Sequence, residues 1–200
     1  MAPQHPLIDR PAPSFSIPDS NGELFQFPPE KEGRPIRKPI ALFFYPESGT
    51  YGCTREACHF RDALVENDIY KRSDVLVVGI SSDPVEKQNA FVAKHKLSYP
   101  VLSDTDHAAH KAYKIGRGML GLSDARITFV IDRNGIVKGV LNASLSFSGH
   151  AKFVAKELEK MQDSDATEAR VGQESGTPSL NPSEAEERGE LARAAQAVCG

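Results

Sequence analysis

Cysteines, long apolar runs and excess charge are all scarce in this 200-residue sequence. There are three cysteines, and the opening stretch MAPQHPLIDRPAPSF has no hydrophobic core of the kind a secretory leader carries. An odd cysteine count without a leader argues against a disulfide scaffold and leaves catalytic, metal-binding or incidental thiols. No run approaches the ~18 apolar residues that a membrane span needs. Neither secretion nor membrane association is expected. No internal repeat is visible, and the bases form no stripe, so nucleic acid is not an expected partner.

The net charge of −3 is unevenly spread. Residues 163–200 carry −5, which leaves +2 for residues 1–162. The tail has no aromatic residue and is rich in Ser, Gly, Ala, Glu and Pro. Such a segment buries too little apolar surface to offset its ordering entropy, so 163–200 is expected to be an acidic disordered tail. A short helix over 183–198 is the one element it could form, from the capping box Ser183–Glu186 and the spacing of Leu191, Ala194, Ala195 and Val198.

Residues 1–162 form the expected domain. Phe15 and Ile17 alternate with polar residues, Asn21-Gly22 marks a hairpin, and Leu24 to Phe27 returns as a second short strand. A loop follows from Pro28 through the charged KEGRPIRKP. IALFFY (40–45), a continuous apolar run, reads as a strand buried on both faces. A helix is expected from Cys53 to Asn67, then a second buried strand at 74–80. Asp83 should cap a helix with Pro84 at its first position and Glu86 in the capping-box place. Asp104 should cap another helix reaching Tyr113. RITFVID (126–132) and IVKGVL (136–141) are strands joined at Arg133-Asn134-Gly135, and a last helix covers 149–161. Buried strands alternating with helices predict a layered α/β domain around a central sheet.

The chemistry concentrates in YPESGTYGCTREAC, residues 45–58. This segment leaves the carboxyl end of a buried strand and enters a helix, the place where open α/β sheets put their sites. Cys53 falls in the first helical turn, where unpaired N–H groups and the positive end of the helix dipole favour a thiolate. Thr50 is positioned to bring its hydroxyl beside the sulfur, and Pro46 to stiffen and shield the loop. Cys58 lies five residues on, its Cα about 8–9 Å from that of Cys53 on a regular helix. A disulfide tolerates less than about 7 Å. The two thiols can meet only if the first turns unwind.

Each of these residues also has a more ordinary reading. A lone cysteine is more often an inert small hydrophobe. C-x4-C on a helix lacks the spacing of a zinc site, and thioredoxin-type C-x-x-C chemistry is excluded. His59 reads as a solvated histidine, His107 and His110 as a surface pair without a third metal ligand, and Cys199 as an incidental thiol. Gly116 to Gly121 fits G-x-G-x-x-G, but a helix precedes it and a strand follows, the reverse of a dinucleotide site, so a mobile loop is expected. Four bases and one acid between Lys31 and Lys38 are too few for a nuclear import signal. Arg126, taken alone, reads as a sheet-edge arginine in a surface ion pair.

The spacing Pro46, Thr50, Cys53 resembles the P-x-x-x-T-x-x-C motif of the peroxiredoxins. GCTREACHFRD is similar to the peroxiredoxin Q, or bacterioferritin comigratory protein, subfamily, whose members often carry a second cysteine five residues downstream. The likeness runs from about residue 7 to 160 and includes SDTDHAAHKAY and RITFVIDRNGIV. It implies a thioredoxin-like fold with a central mixed sheet, and the reduction of hydroperoxides without a cofactor or metal. By the same resemblance Cys53 matches the peroxidatic cysteine, attacking peroxide to form a sulfenic acid. Cys58 matches the resolving cysteine, and Arg126 the active-site arginine. Thioredoxin would be the reductant, and the protein a monomer or weak dimer in the cytoplasm or nucleus. The sequence departs from the subfamily at Tyr51, where Pro is common. A redox-sensing interaction protein using the same cysteines without turnover, or a thiol–disulfide exchange factor, remain the alternatives.

Overall fold

The computed structural model describes residues 4–118, 121 and 123–174, with side chains to Ser164. It divides into two compact units, Met1–Gln162 and Asp163–Gly200. In the first unit a five-stranded mixed sheet has the order β7-β6-β5-β8-β9. Its strands are β5 (Ile40–Phe44), β6 (Leu76–Ser81), β7 (Val101–Ser103), β8 (Ile127–Ile131) and β9 (Val137–Asn142). β5, β6 and β7 run parallel, and β8 and β9 are antiparallel additions on the other side of β5. Earlier in the chain, β1 (Phe15–Pro18) and β2 (Leu24–Phe27) form the expected hairpin.

All five residues of β5 are buried. Strand geometry sends alternate side chains to opposite faces. Ala41, Phe43 and Tyr45 therefore enter one core layer, and Ile40, Leu42 and Phe44 the other. β8 obeys the same rule: Ile127, Phe129 and Ile131 join the second layer. Val130 joins the first, and Arg126 and Thr128 share its parity.

The first layer is covered by α1 (Tyr51–Glu66) and α5 (Phe147–Glu174). Phe43 stacks on Phe60 of α1 with ring centroids 4.5 Å apart and meets Tyr99 edge-on at 6.0 Å. A Cβ added to Gly79 of β6 would lie 2.8 Å from the Phe43 ring, so glycine is what lets the ring lie flat on the sheet. Phe43→Ala is expected to lower unfolding free energy by about 3–5 kcal/mol in denaturant titration, from lost burial plus the cavity left behind.

Several elements differ from expectation. The charged loop after Pro29 contains a minimal hairpin, β3 (Glu30–Lys31) and β4 (Arg34–Pro35). A short α2 (Asp68–Ser73) follows α1, capped by Asn67, whose side chain accepts from Ile69 N at 3.0 Å. At the start of α3 (Val85–His95) the N-cap is Pro84. The Asp83 carboxylate turns instead to Ser48 N (2.6 Å) and Ser81 Oγ (2.8 Å), tying the 46–50 loop to the end of β6. The N-cap of α4 (Ala108–Ala112) is His107 rather than Asp104, whose carboxylate reaches over it to accept from the N–H groups of Ala109 and His110. β7 was not foreseen, being too short to show alternation. α5 starts earlier than expected and runs beyond residue 161. The expected helix over 183–198 and Cys199 lie outside the described residues.

Candidate active site

Cys53 is the third residue of α1, inside the first turn, and is 1% exposed. Gly49, at φ +86°, makes the sharp entry into the helix, a conformation that a Cβ would oppose. Cys53 and Glu56, three residues apart, lie on one helical face with Ala57 and Phe60, all turned to the sheet. Opposite them stands Arg126, immediately before β8 and 5% exposed. Its place at the entry to an interior strand, together with the parity of 126 and 128, aims it at α1. It is therefore no sheet-edge residue.

Each nitrogen of the Arg126 guanidinium has a partner. Nη2 donates to Cys53 Sγ at 3.2 Å, Nη1 donates to Glu56 Oε2, and Nε donates to the Ser144 carbonyl at 3.3 Å. The ring of Phe147, at the start of α5, covers the guanidinium at 5.1 Å. Burial opposes the arginine charge, but Glu56 and Cys53 outweigh it and raise the Arg126 pKa above its ordinary value. A fixed cation beside the sulfur would polarise an oxygen brought to it and meet negative charge that develops there. Burial pushes Glu56 up to about 7 despite the opposing pull of Arg126. Behind Glu56, His150 of α5 is fully buried, with Nδ1 2.8 Å from Thr128 Oγ1 and Nε2 2.9 Å from the Ala143 carbonyl.

The predicted residues are not all gathered at the sulfur. Cys53 and Arg126 meet. Thr50 is the N-cap residue of α1 but makes no side-chain cap; its hydroxyl donates to the Glu47 carbonyl at 3.0 Å. That contact closes the loop on itself. Pro46 and Thr50 line a polar cavity of about 510 Å³ together with Asp83, His107 and Asp124, a set without Cys53 or Arg126. Cys58 is partly exposed on the same unbroken helix, and both thiols are free. Tyr51, at the subfamily's proline position, is exposed, accepts a hydrogen bond from Arg55 Nη1 at 2.8 Å and meets Phe147 edge-on at 6.3 Å.

His110 is not a surface residue. It is 3% exposed, with Nδ1 2.6 Å from Asp104 Oδ2. His59 is half-buried and lines a groove between α1 and α5. In the glycine loop, Gly118 N donates to the Ser123 carbonyl and Arg117 pairs with Asp124, so its described part is anchored. Glu56, Thr128, Phe147 and His150 escaped the sequence reading. The i, i+3 spacing of Cys53 and Glu56 and the shared parity of Arg126 and Thr128 were the available signals. Nothing local marked the two α5 residues. Among the described residues no helix is long and apolar enough to cross a membrane, and no group of three or more His, Cys, Asp or Glu is arranged to hold a metal.

The mixed sheet flanked by helices is a fold of the thioredoxin-like class. The model of the AhpC/TSA family matches residues 8–140. The chain is 34% identical over 139 residues to the chloroplastic peroxiredoxin Q of Sedum lineare, covering 66% of this chain and 73% of that one. It is 40% identical over 132 residues to a putative peroxiredoxin of Mycobacterium tuberculosis, covering 62% and 84% respectively. The crystal structure of peroxidoxin BcpB from Mycobacterium tuberculosis, 33% identical, superposes with a TM-score of 0.66 over 76% of this chain and 96% of that one. The chain belongs to the AhpC/TSA family, alongside peroxiredoxins of the Q and bacterioferritin comigratory types. Its activity is that of a peroxidase.

Proposed function

We propose that this peroxidase reduces hydrogen peroxide and organic hydroperoxides through Cys53, resolves the product with Cys58 as an intramolecular disulfide, and is restored by thioredoxin. The observation that carries the reading is the Arg126 Nη2 to Cys53 Sγ contact at 3.2 Å in a dry site. The thiolate attacks one peroxide oxygen, the O–O bond breaks, and the sulfur becomes a sulfenic acid. Arg126 meets the negative charge that builds on the departing oxygen. Cys58, on the same helix, condenses with the sulfenic acid and releases water once the first turns open. Pro46 and Thr50 shape the loop ahead of Cys53, consistent with the Thr50 hydroxyl closing on Glu47. We assign the protein to the cytoplasm as a monomer; the plant relatives are named chloroplastic, and no relative reported above carries a nuclear name.

The test is hydroperoxide consumption by the reduced chain with thioredoxin and its reductase, followed by mass spectrometry after one equivalent of peroxide. Sustained consumption and a Cys53–Cys58 disulfide are expected; stoichiometric oxidation without turnover would favour a redox-sensing role instead. Cys58→Ser should retain the first oxidation at near wild-type rate and lose thioredoxin-driven turnover by about tenfold or more. Unimpaired turnover in that variant would remove Cys58 from the cycle.

A further inference from the structure

Arg126 faces two groups able to carry negative charge, the Cys53 sulfur and the Glu56 carboxyl. Cys53, Glu56 and Arg126 are 1%, 0% and 5% exposed. With both partners ionised, the site would hold one cation and two anions out of water, an arrangement that burial disfavours strongly.

The hydrogen bonds behind Glu56 show where the balance is struck. His150 Nε2 faces the Ala143 carbonyl, which only accepts, so that nitrogen carries a hydrogen. In the neutral ring Nδ1 is then a lone pair, and the Thr128 hydroxyl donates to it. Glu56 Oε1 lies 3.4 Å from the same Nδ1 and is buried without a hydrogen-bond partner. An ionised oxygen facing a lone pair in a dry site is doubly unfavourable. A proton on Oε1 removes the conflict by neutralising the carboxyl, its O–H and the Thr128 hydroxyl then sharing the one Nδ1 lone pair as a three-centre bond. Burial raises Glu56 to about 7 and lowers His150, so the carboxyl rather than the ring is the proton's seat near neutrality. The remaining titratable group close to Glu56 is Tyr99; its hydroxyl donates to the Ala57 carbonyl, and burial keeps it protonated.

We propose that Glu56 and His150 are a proton store coupled to the oxidation state of Cys53. While Cys53 is a thiolate, a proton sits between Glu56 Oε1 and His150 Nδ1; once Cys53 is oxidised, the proton leaves and Glu56 becomes the counter-ion of Arg126. The inference rests on the peroxidase reading of Cys53, and its atoms and charges balance. The thiolate forms an S–O bond as the O–O bond breaks, sulfur is oxidised by two electrons, and the other oxygen leaves as hydroxide or alkoxide. That oxygen needs one proton to become water or an alcohol. The sulfenic acid is neutral, so Arg126 needs a new anion at the same moment. Ionisation of Glu56 supplies that anion, and the proton it releases to solvent balances the one the departing oxygen takes up. Glu56 and His150 are positioning residues acting through Arg126.

Difference infrared spectra of the reduced wild-type chain before and after one equivalent of hydrogen peroxide, at about pH 6.5, read the carboxyl directly. Loss of a protonated-carboxyl band and gain of a carboxylate band are expected on oxidation, and both should be missing in Glu56→Gln. An oxidised wild-type protein with an unchanged carboxyl region would overturn the proton store and leave the peroxidase reading intact. Absence of any reaction with peroxide would overturn both. A second readout is the rate constant for Cys53 oxidation between about pH 5.5 and 8.5. In wild type it should fall several-fold, to about tenfold, as pH rises through about 7 and ionised Glu56 competes for Arg126. Glu56→Gln should lack that falling limb, which a purely structural role would not remove. Superimposable profiles would count against the proposal.

Discussion

Replacing Cys53 by serine is expected to reduce hydroperoxide consumption to the uncatalysed background, a loss of at least about a thousandfold. The reason lies in the geometry of Arg126. Its Nη2 hydrogen aims at a sulfur able to attack a peroxide oxygen, and a serine hydroxyl is a far weaker nucleophile. The variant keeps a side chain of nearly the same volume at a 1% exposed position, so the fold should survive, with unfolding free energy changed by about 1 kcal/mol. Peroxide consumption and denaturant unfolding, measured on one preparation, separate lost chemistry from lost structure. A Cys53→Ser protein that is folded and still turns over peroxide would move the reaction to another residue.

Arg126→Gln should be nearly as severe, and in two measurable ways. The rate constant for oxidation of Cys53 should drop about 100- to 1,000-fold, the usual consequence of removing a donor aimed at developing negative charge. Stability should fall as well, because Glu56 is fully buried and loses its ion-pair partner; breaking such a pair costs about 3–5 kcal/mol. The pH dependence has a definite sign. Arg126 pulls the Glu56 pKa down against burial, so its removal raises that pKa above about 7. At low pH both proteins hold a neutral carboxyl and differ least. As pH rises through about 7, the wild-type carboxylate gains its arginine and the variant has none. The stability difference should therefore widen from pH 6 to pH 8 in urea titrations. A difference independent of pH would mean that Glu56 stays in one protonation state across that range.

Much of this architecture was legible in the sequence because it is written in local patterns. The run at 40–45, the alternation in 126–132 and the strand-to-helix passage through Gly49 and Cys53 each follow from spacing alone. What was missed depends on contacts between distant segments. Asp83 looks like a helix cap until Ser48 N competes for its carboxylate. His110 looks solvated until Asp104 and the sheet enclose it. Glu56 would pass for one more surface acid on a charged helix. Its importance lies in Arg126, 70 residues later, and His150, further still, which no local pattern could reveal.

The hydroxyl of Thr50 also sets how readily α1 frays. A side-chain oxygen folded back onto the first-turn N–H groups is worth about 1 kcal/mol to a helix, and α1 begins without one. Further along, Ala57 and Phe60 are clamped against the sheet by buried packing, Phe60 by its stack on Phe43. Cys53 and Glu56, between the loose end and the clamped middle, are held by Arg126. Melting can start cheaply at Tyr51 and passes Cys53 only when the Arg126 contacts let go. In the proposed cycle, oxidation of the Cys53 sulfur alters one of those contacts, and the packing of Ala57 and Phe60 keeps the rest of the core closed while the sulfurs approach.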